Sequence, residues 1–527
     1  MSKTFTREEI AKNFNGQNGN PAYVIVNGDV LNVTTFASGH PGGEIALLEH
    51  AGKDATKVFY ALHRHEVLEK RMKRLKVGEL KDYDRKLTPP SWKDISKVPY
   101  AETQMDGSPY WKETHKKFRK VVREWLWEEG IVDWSEQAEV SGEYPSKEIF
   151  MKHGKAGMLA MFAGKHALKR IPNPVLLERA GIKPDDFDVF HSAVLTEERC
   201  RMVCPGAEDG VASGISIGIG PVMHYGPEWM QGELVQSILE GRKVICLAIT
   251  EPSAGSDVAG IQTVARQAVV NGEEGFIVRG TKKWITNSMF ADYFTTLVKT
   301  VSHDGKDLGT SMLLVEKSEQ VVCRQIPTNY AMCAGTGLVS YEDVFVPARN
   351  LLGKIGEGFK ITMHNFNMER WGICAMAVGR SRRIIEECIL WANQREAFGK
   401  KLIEQPVIRA HIGEMIAAHQ ASYALYEKIT HQYNTLPREV ANAVLGGPTA
   451  LLKYNCTRMM NIVSDRAVQI FGGRGVTKTG MGKNVERHMK SFKLPSVYGG
   501  SEEIMLDLSV KQVSLFFASI SLGKQRY

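Results

Sequence analysis

The sequence predicts a multidomain chain: a small α+β unit, a helical stretch, a β unit, and a second long helical stretch. Three observations carry this. Asn27-Gly28 sits between the strand-like runs Tyr23-Val24-Ile25-Val26 and Asp29-Val30-Leu31, the sequence form of a tight β-hairpin. Apolar residues recur at helical spacing from about 106 to 245, and again from Gly358 to Phe517. Between those stretches, VICLAI, GFIVRG, YFTTLVKT and SMLLVEK read as strands separated by Gly and Asp turns. A length of 527 residues agrees with several packing units.

Taken in order, residues 1–80 form one compositional unit ending at Val77-Gly78-Glu79-Leu80, and Phe5 to Phe14 reads as an amphipathic helix. Residues 81–105 are polar, with Pro89, Pro90 and Pro99, which is linker composition. A flexible linker of that length reaches roughly 25–30 Å. Residues 106–245 then read as helical, 246–350 as β, and 351–527 as helical, with no internal repeat.

The mixed charges of MSKTFTREEIAKNF argue against a secretory signal, and no run of about 18 apolar residues predicts a membrane span. The eight cysteines are scattered; Cys200 and Cys204 have helical spacing, and the others lie in apolar runs. Buried, reduced thiols are expected, and with them an intracellular, cytoplasmic setting, with peroxisome or mitochondrion left open. The net charge of +8 is spread among acids, unlike the clustered charge of a nucleic-acid binder. The KRMKRLK run at 70–76 reads as a solvated helix face. A mildly positive balance suits a polyanionic small substrate.

Two histidines stand out in the first unit. Pro41, Gly42 and Gly43 beside His40 force a tight turn that can expose the imidazole and bring backbone close to a flat ligand. Taken alone, a histidine at a turn more often serves the surface or the core. The strings HPGG, AGKDAT and the terminal GEL, however, make residues 4–80 resemble the cytochrome b5 domain. That resemblance implies haem b, with His40 and His63 as axial ligands; His65 is the nearby competitor for the second role. Two imidazoles leave iron no open position, so such a site transfers electrons and does not bind oxygen. One departure is charge: residues 1–80 hold 11 Lys/Arg against 9 Asp/Glu, whereas free cytochrome b5 proteins are acidic for docking. Fusion to a partner domain would remove the need for a docking patch.

In the β unit, Leu247-Ala248-Ile249-Thr250-Glu251-Pro252-Ser253-Ala254-Gly255-Ser256-Asp257-Val258 joins a strand to a small-residue turn whose N–H groups can approach phosphate. Lys283-Trp284-Ile285-Thr286-Asn287 offers a flat aromatic and a hydroxyl on one strand. No GxGxxG opens a helix after a strand, which argues against a Rossmann site. TEPSAGSDVAG and KKWITN make residues 110–515 resemble the acyl-CoA dehydrogenase family. The resemblance implies a helical N-terminal part, a middle β-barrel domain and a C-terminal four-helix bundle. It also implies FAD, an acyl-CoA substrate, and a homodimer or homotetramer. Leu247, Ala248, Ile249 and Thr250 would line the flavin pyrimidine edge, Ser256 the pyrophosphate, Trp284 the ring face and Thr286 the N5 region. Arg395 and Phe398 in REAFGK, with Gln469, Gly472 and Gly473, match segments that reach the FAD of a neighbouring subunit. Ser501 and Glu503 are expected flavin contacts. Lys490-Ser491 stands where the family usually shows Arg-Asp.

Removing a proton from carbon α of a thioester while hydride leaves carbon β requires a carboxylate opposite the flavin. Most of the family carries it in a Tyr-Glu-Gly-Thr segment, but this chain reads Tyr498-Gly499-Gly500-Ser501. Glu369 is the candidate replacement. Phe366, Glu369, Ile373 and Met376 share a helix face, and a carboxylate on an apolar face has a raised pKa. By itself, a glutamate in this setting is more often a buried carboxylate merely paired to a neighbouring cation. Long-chain and isovaleryl-type members of the family carry the base at this Glu-Arg position, which implies Glu369 as base and the Gly499 N–H as a donor to the thioester oxygen. Two other functions fit the same features: an oxidase or monooxygenase whose flavin is fed by the haem domain, and a non-catalytic nucleic-acid-binding flavoprotein.

Overall fold

The computed structural model describes residues 3–83, 107–330 and 332–521; the linker expected over 81–105 lies, after Tyr83, outside them. The chain divides into two compact units, one grouping residues 3–83 with Ile384–Glu414 and Asp465–Glu486, the other holding the remainder.

In the first unit, β1 (Thr4–Phe5), β2 (Tyr23–Val26), β3 (Asp29–Asn32) and β4 (Lys76–Leu80) form a sheet in the order β1-β4-β3-β2. Val26 pairs with Asp29 across the turn, and Asn27 and Gly28 both adopt positive φ (52° and 81°), the type I′ geometry that follows the twist of the strands. Helix Arg7–Asn13 opens with a capping box, in which Thr6 Oγ1 accepts from Glu9 N and Glu9 Oε2 accepts from Thr6 N. Val24, Val26, Leu31, Leu68 and Leu75 pack beneath the helices Thr56–Leu62 and His65–Leu75. The basic run divides: Lys70, Arg71, Lys73 and Arg74 face solvent, but the helix stops at Leu75. Lys76 therefore belongs to β4, where it pairs with Asp29 (2.8 Å) and Glu79 (2.6 Å).

In the second unit, helices Glu113–Glu128, Val189–Cys200 and Pro205–Tyr225 precede the β region. Cys200 ends one of these helices and Cys204 caps the next, so their four-residue spacing crosses a helix break and is not one helical face. The middle strands are β5 (Ile245–Ala248), β6 (Val264–Val270), β7 (Glu273–Ile285), β8 (Tyr293–Val301), β9 (Asp307–Glu316), β10 (Val321–Gln325), β11 (Gly337–Pro347) and β12 (Leu351–Leu352). They form an eight-stranded sheet in the order β10-β11-β7-β6-β8-β9-β12, with β5 beside β8. Phe276, Val278, Phe294, Leu313, Val315 and Tyr341 fill its core.

Four long helices follow: Gly358–Gln394, Pro406–Thr435, Gly446–Phe471 and Glu502–Ser521. The first is anchored on its neighbours by buried charge. Arg380 pairs with Glu208, Arg382 with Glu197, and Arg119 reaches the same Glu197 at 2.9 Å. Removing one partner from such a buried pair typically costs about 3–5 kcal/mol. Gly379 makes the close approach possible, since a Cβ there would lie 2.7 Å from the Glu197 Cα. Seven of the eight free cysteines are buried, and Cys323 is half-buried. Among the described residues, no helix is long and apolar enough to cross a membrane.

Candidate active site and cofactor sites

In the first unit, the His40 and His63 rings face one another at 5.9 Å between centroids. His40 Nδ1 lies 3.0 Å from the Gly43 carbonyl, which orients the ring and leaves Nε2 for a ligand. A Cβ on Gly42 would lie 2.8 Å from His40 Cε1, so glycine keeps the turn against the imidazole. His65 is otherwise engaged: its Nδ1 meets the Tyr60 hydroxyl at 2.8 Å and its Nε2 approaches Glu69 at 3.8 Å. Ile45, Leu62 and Val67 of the same domain leave apolar surface uncovered. Two opposed imidazoles with bare aliphatic groups on one small domain fit a haem.

In the second unit, the structure brings Glu369 and Gly499 together. Gly499 adopts φ 65°, and a Cβ built on it would lie 3.6 Å from Glu369 Oε1, 3.6 Å from Lys453 Cε and 2.6 Å from Ile373 Cδ1. The turn is held by its carbonyls: Arg370 Nε donates to Gly499 O (3.1 Å) and Lys453 Nζ to Gly500 O (2.5 Å). Glu369 Oε2 is shut off from solvent with no hydrogen-bond partner among the described residues. Burial pushes the Glu369 pKa up to about 7, against the pull of the Arg370 and Lys453 cations. Burial likewise lowers the Lys453 pKa to about 8. Ile373 and Met376 are buried on the expected helix face. Lys453 was not singled out from sequence, although a lysine inside the apolar run Leu451-Leu452-Lys453 is itself a signal.

The expected flavin residues of the second unit lie on and beside β5 and the end of β7. Lys283 N donates to Thr250 O at 2.8 Å, joining the two segments. Beneath them Lys282 Nζ pairs with Glu251 Oε1 (2.7 Å) and donates to Ile249 O (3.0 Å). Glu251 also accepts from Gln262 N (2.5 Å) and Thr263 N (3.0 Å). Sequence reasoning missed this pair because TEPSAGSDVAG and KKWITN were read for their turn and their aromatic. Trp284 takes φ 63° and remains 51% exposed, with Lys283 Nζ 4.8 Å above its ring. Thr286 Oγ1 lies 3.3 Å from Thr336 Oγ1, and Ser256 is exposed. A bare indole next to an exposed hydroxyl turn fits a flavin nucleotide.

Ser501 caps the last long helix, its Oγ accepting from Ile504 N at 3.4 Å. Glu503 is exposed, its carboxyl held below the ordinary range by a backbone N–H of its own turn and the Ser501 hydroxyl. Glu502, by contrast, is buried and accepts from Thr457 Oγ1 at 2.8 Å. The remaining expected FAD residues belong to the first unit. Trp391 stacks on Phe471 at 5.4 Å, bringing the Arg395–Phe398 segment towards the Gln469–Gly473 segment. Phe398 is 96% exposed at φ 53°.

Comparison with known proteins agrees with this layout. Residues 6–81 match the cytochrome b5-like haem/steroid-binding domain. Residues 246–344 match the acyl-CoA dehydrogenase middle domain and residues 356–514 its C-terminal domain. The acyl-CoA dehydrogenase apdG of Emericella nidulans is 34% identical over 447 residues, covering 82% of this chain and 99% of that protein. The acyl-CoA dehydrogenase AFT10-1 of Alternaria alternata is 32% identical, covering 79% and 96%. Among solved structures, an acyl-CoA dehydrogenase complexed with FAD from Bacillus anthracis superposes with a TM-score of 0.65 at 25% identity, covering 79% of this chain and 68% of that one. Butyryl-CoA dehydrogenase from Megasphaera elsdenii gives 0.64 at 24% identity, covering 77% and 99%, a likeness of fold.

Proposed function

Because this chain belongs to the acyl-CoA dehydrogenase family, as an FAD-dependent oxidoreductase joined to a haem-binding cytochrome b5-like domain, we propose that Glu369 takes the α-proton of an acyl-CoA and that the electrons leave through the chain's own haem. The observation that carries the reading is a carboxylate shut off from water beside a position with no side chain, Gly499.

Bound FAD supplies the acceptor for the hydride from carbon β, and bound haem supplies a one-electron acceptor. The chain does the rest. Leu247, Ala248, Ile249, Thr250 and Thr286 would hold the flavin ring edge, Trp284 would cover its face, and Ser256, Ser501 and Glu503 would hold its outer parts, while Arg395, Phe398, Gln469, Gly472 and Gly473 would reach the FAD of a neighbouring subunit. Arg395 contributes a planar fork suited to pyrophosphate. His40 and His63 ligate the haem iron.

Glu369 accepts the proton at a carboxylate oxygen. Its pKa near 7 makes it a stronger base than an ordinary glutamate while leaving it substantially ionised near neutrality. The Gly499 N–H donates to the thioester oxygen, where one such donor is worth about 3 kcal/mol. Lys453 and Arg370 are positioning residues: they hold the Gly499-Gly500 turn and keep the base from losing its charge altogether. The assembly is a homodimer or homotetramer within the cell, passing electrons from the haem to an external one-electron acceptor.

The test is anaerobic mixing with a panel of acyl-CoAs while the flavin and haem bands are followed together. Flavin bleaching by substrate alone, followed by haem reduction, is the expected result. A flavin that no acyl-CoA bleaches would sink the reading.

A further inference from the structure

The side of the haem domain that carries His63 does not face solvent freely. Arg64, the next residue, forms a bidentate pair with Glu387: Nη1 to Oε1 at 3.1 Å and Nη2 to Oε2 at 2.6 Å. Both side chains are largely buried, at 14% and 5% exposed. The same guanidinium donates to Met481 O (2.7 Å) and Gly480 O (3.4 Å), and Asn484 Nδ2 donates to Glu387 Oε1 (2.6 Å). Around this centre, Gln394 Nε2 donates to Tyr60 O, and Lys57 Nζ pairs with Glu396 Oε2 at 2.5 Å. Glycine is favoured at 480 by its φ of 71°, and a Cβ there would be in ordinary contact with Leu62 O at 3.5 Å, which places the turn against the haem domain. Thus residues 57, 60, 62 and 64, which flank one haem ligand, all meet the segments 387–396 and 480–484 of the same compact unit.

We infer that Arg64–Glu387 is a latch that seats the haem domain against segments 387–396 and 480–484 of its own chain, so that electron exchange with a flavin starts from a domain held in place and not from one free on its linker. Charge and geometry support a built latch over an incidental contact. A guanidinium fork matches a carboxylate in two parallel bonds, and the carboxylate is oriented by a further amide. The partners of Tyr60 and Lys57, Gln394 and Glu396, bracket Arg395, the residue assigned to the FAD pyrophosphate of a neighbouring subunit, so that flavin is the one the seated haem serves. A tether of about 25 residues already raises the local concentration of the domain, so one strong pair suffices to keep it seated. The absence of a net acidic charge on residues 1–80 is in keeping with this: the docking charge is Arg64, and its acidic partner lies in the same chain.

The inference rests on flavin-to-haem electron flow. Each acyl-CoA gives a proton to Glu369 and a hydride to the flavin. The two electrons then leave singly, each reducing ferric to ferrous haem, which an external one-electron acceptor reoxidises, while the one proton left on the flavin and the one on Glu369 pass to solvent.

The test uses the full-length holoprotein and the variants Arg64→Ala and Glu387→Gln, each first checked for unchanged haem and flavin absorbance. Two readouts are taken. A zero-length carbodiimide crosslink between Lys57 and Glu396, found by peptide mass spectrometry without substrate, reports seating. Anaerobic mixing reports flavin bleaching and haem reduction separately. Both variants should lose most of the crosslink, bleach flavin at the wild-type rate, and reduce haem roughly tenfold or more slowly, because only the seated fraction is competent. Glu387→Gln lies away from the iron ligands, so its agreement with Arg64→Ala excludes a direct effect on the haem. Retained crosslinking, or loss of crosslinking with an unchanged haem rate, overturns the latch. If no acyl-CoA bleaches the flavin, the dehydrogenase reading has failed instead. The flavin is then photoreduced, and the same comparison of haem rates is read from that starting point.

Discussion

Glu369 and Gly499 meet across a narrow gap: a Cβ at 499 would stand 3.6 Å from Glu369 Oε1 but only 2.6 Å from Ile373 Cδ1. Gly499→Glu therefore restores a proton acceptor to a Glu369→Gln protein only as far as Ile373 Cδ1, the end of a flexible side chain, swings aside. The backbone adds a second obstacle, since φ 65° is costly for residues with a side chain. Gly499→Ala alone should lower stability by about 1–3 kcal/mol through overpacking and strain. Rescue is expected to be strongest when Ile373→Ala accompanies Gly499→Glu, and thermal denaturation with flavin bleaching reads both effects.

Glu369→Gln keeps shape and hydrogen-bonding capacity but cannot accept the α-proton. Flavin reduction at saturating acyl-CoA should fall by about 10²–10⁴-fold with FAD still bound. A wild-type rate in that variant would remove Glu369 from the mechanism.

The pH dependence has a definite sign. The active form is the carboxylate, so wild-type flavin reduction should rise with pH through about 7 and then level off. Lys453→Met removes a cation that favours the ionised base, so the midpoint should move above 7. Stability runs the other way. A carboxyl whose folded pKa is raised above the ordinary glutamate value of 4.5 contributes stability that is fully present below 4.5 and lost as pH rises through about 7. Glu369→Gln should therefore melt higher relative to wild type at pH 8.5 than at pH 5.5, as calorimetry can check.

Haem and flavin should be separable. His40→Ala and His63→Ala should abolish the haem absorbance and leave FAD bound, whereas His65→Ala, which loses only the Tyr60 and Glu69 contacts, should keep haem. Absorbance spectra of the purified variants decide this. A His65→Ala protein without haem would overturn the ligand pair.

Glu251→Ala leaves Lys282 buried without its carboxylate, and Lys282→Ala does the converse. Either should cost about 3–5 kcal/mol and loosen FAD, because the pair joins the Thr250 segment to the Trp284 strand. Flavin release on gel filtration, with haem retained, is the expected outcome.

Much of this was legible in the sequence because it is local. Asn27-Gly28 dictates its turn through two positive φ angles, and the alternation of strand-like runs marks the β unit. Glu369 could be singled out because Gly499 had lost the usual carboxylate and an apolar helix face offered another. What was not legible is long-range pairing. Lys453 approaches the Gly500 carbonyl across 47 positions, and Arg64 meets Glu387 across 323. Nothing in either residue's neighbours in sequence marks the partner. The Lys76 side chain was misplaced among the solvated residues because periodicity does not show where a helix ends, and Leu75 happens to be its last turn.

Trp284 and Phe398 both hold positive φ and leave 51% and 96% of their surfaces bare. The consequence is one of solubility. With FAD covering these rings as proposed, chains short of the nucleotide keep both aromatics bare, and freshly made chains should associate with one another before they mature. Cells starved of riboflavin should then accumulate the protein in inclusion bodies, while the haem domain in those chains still forms its own core.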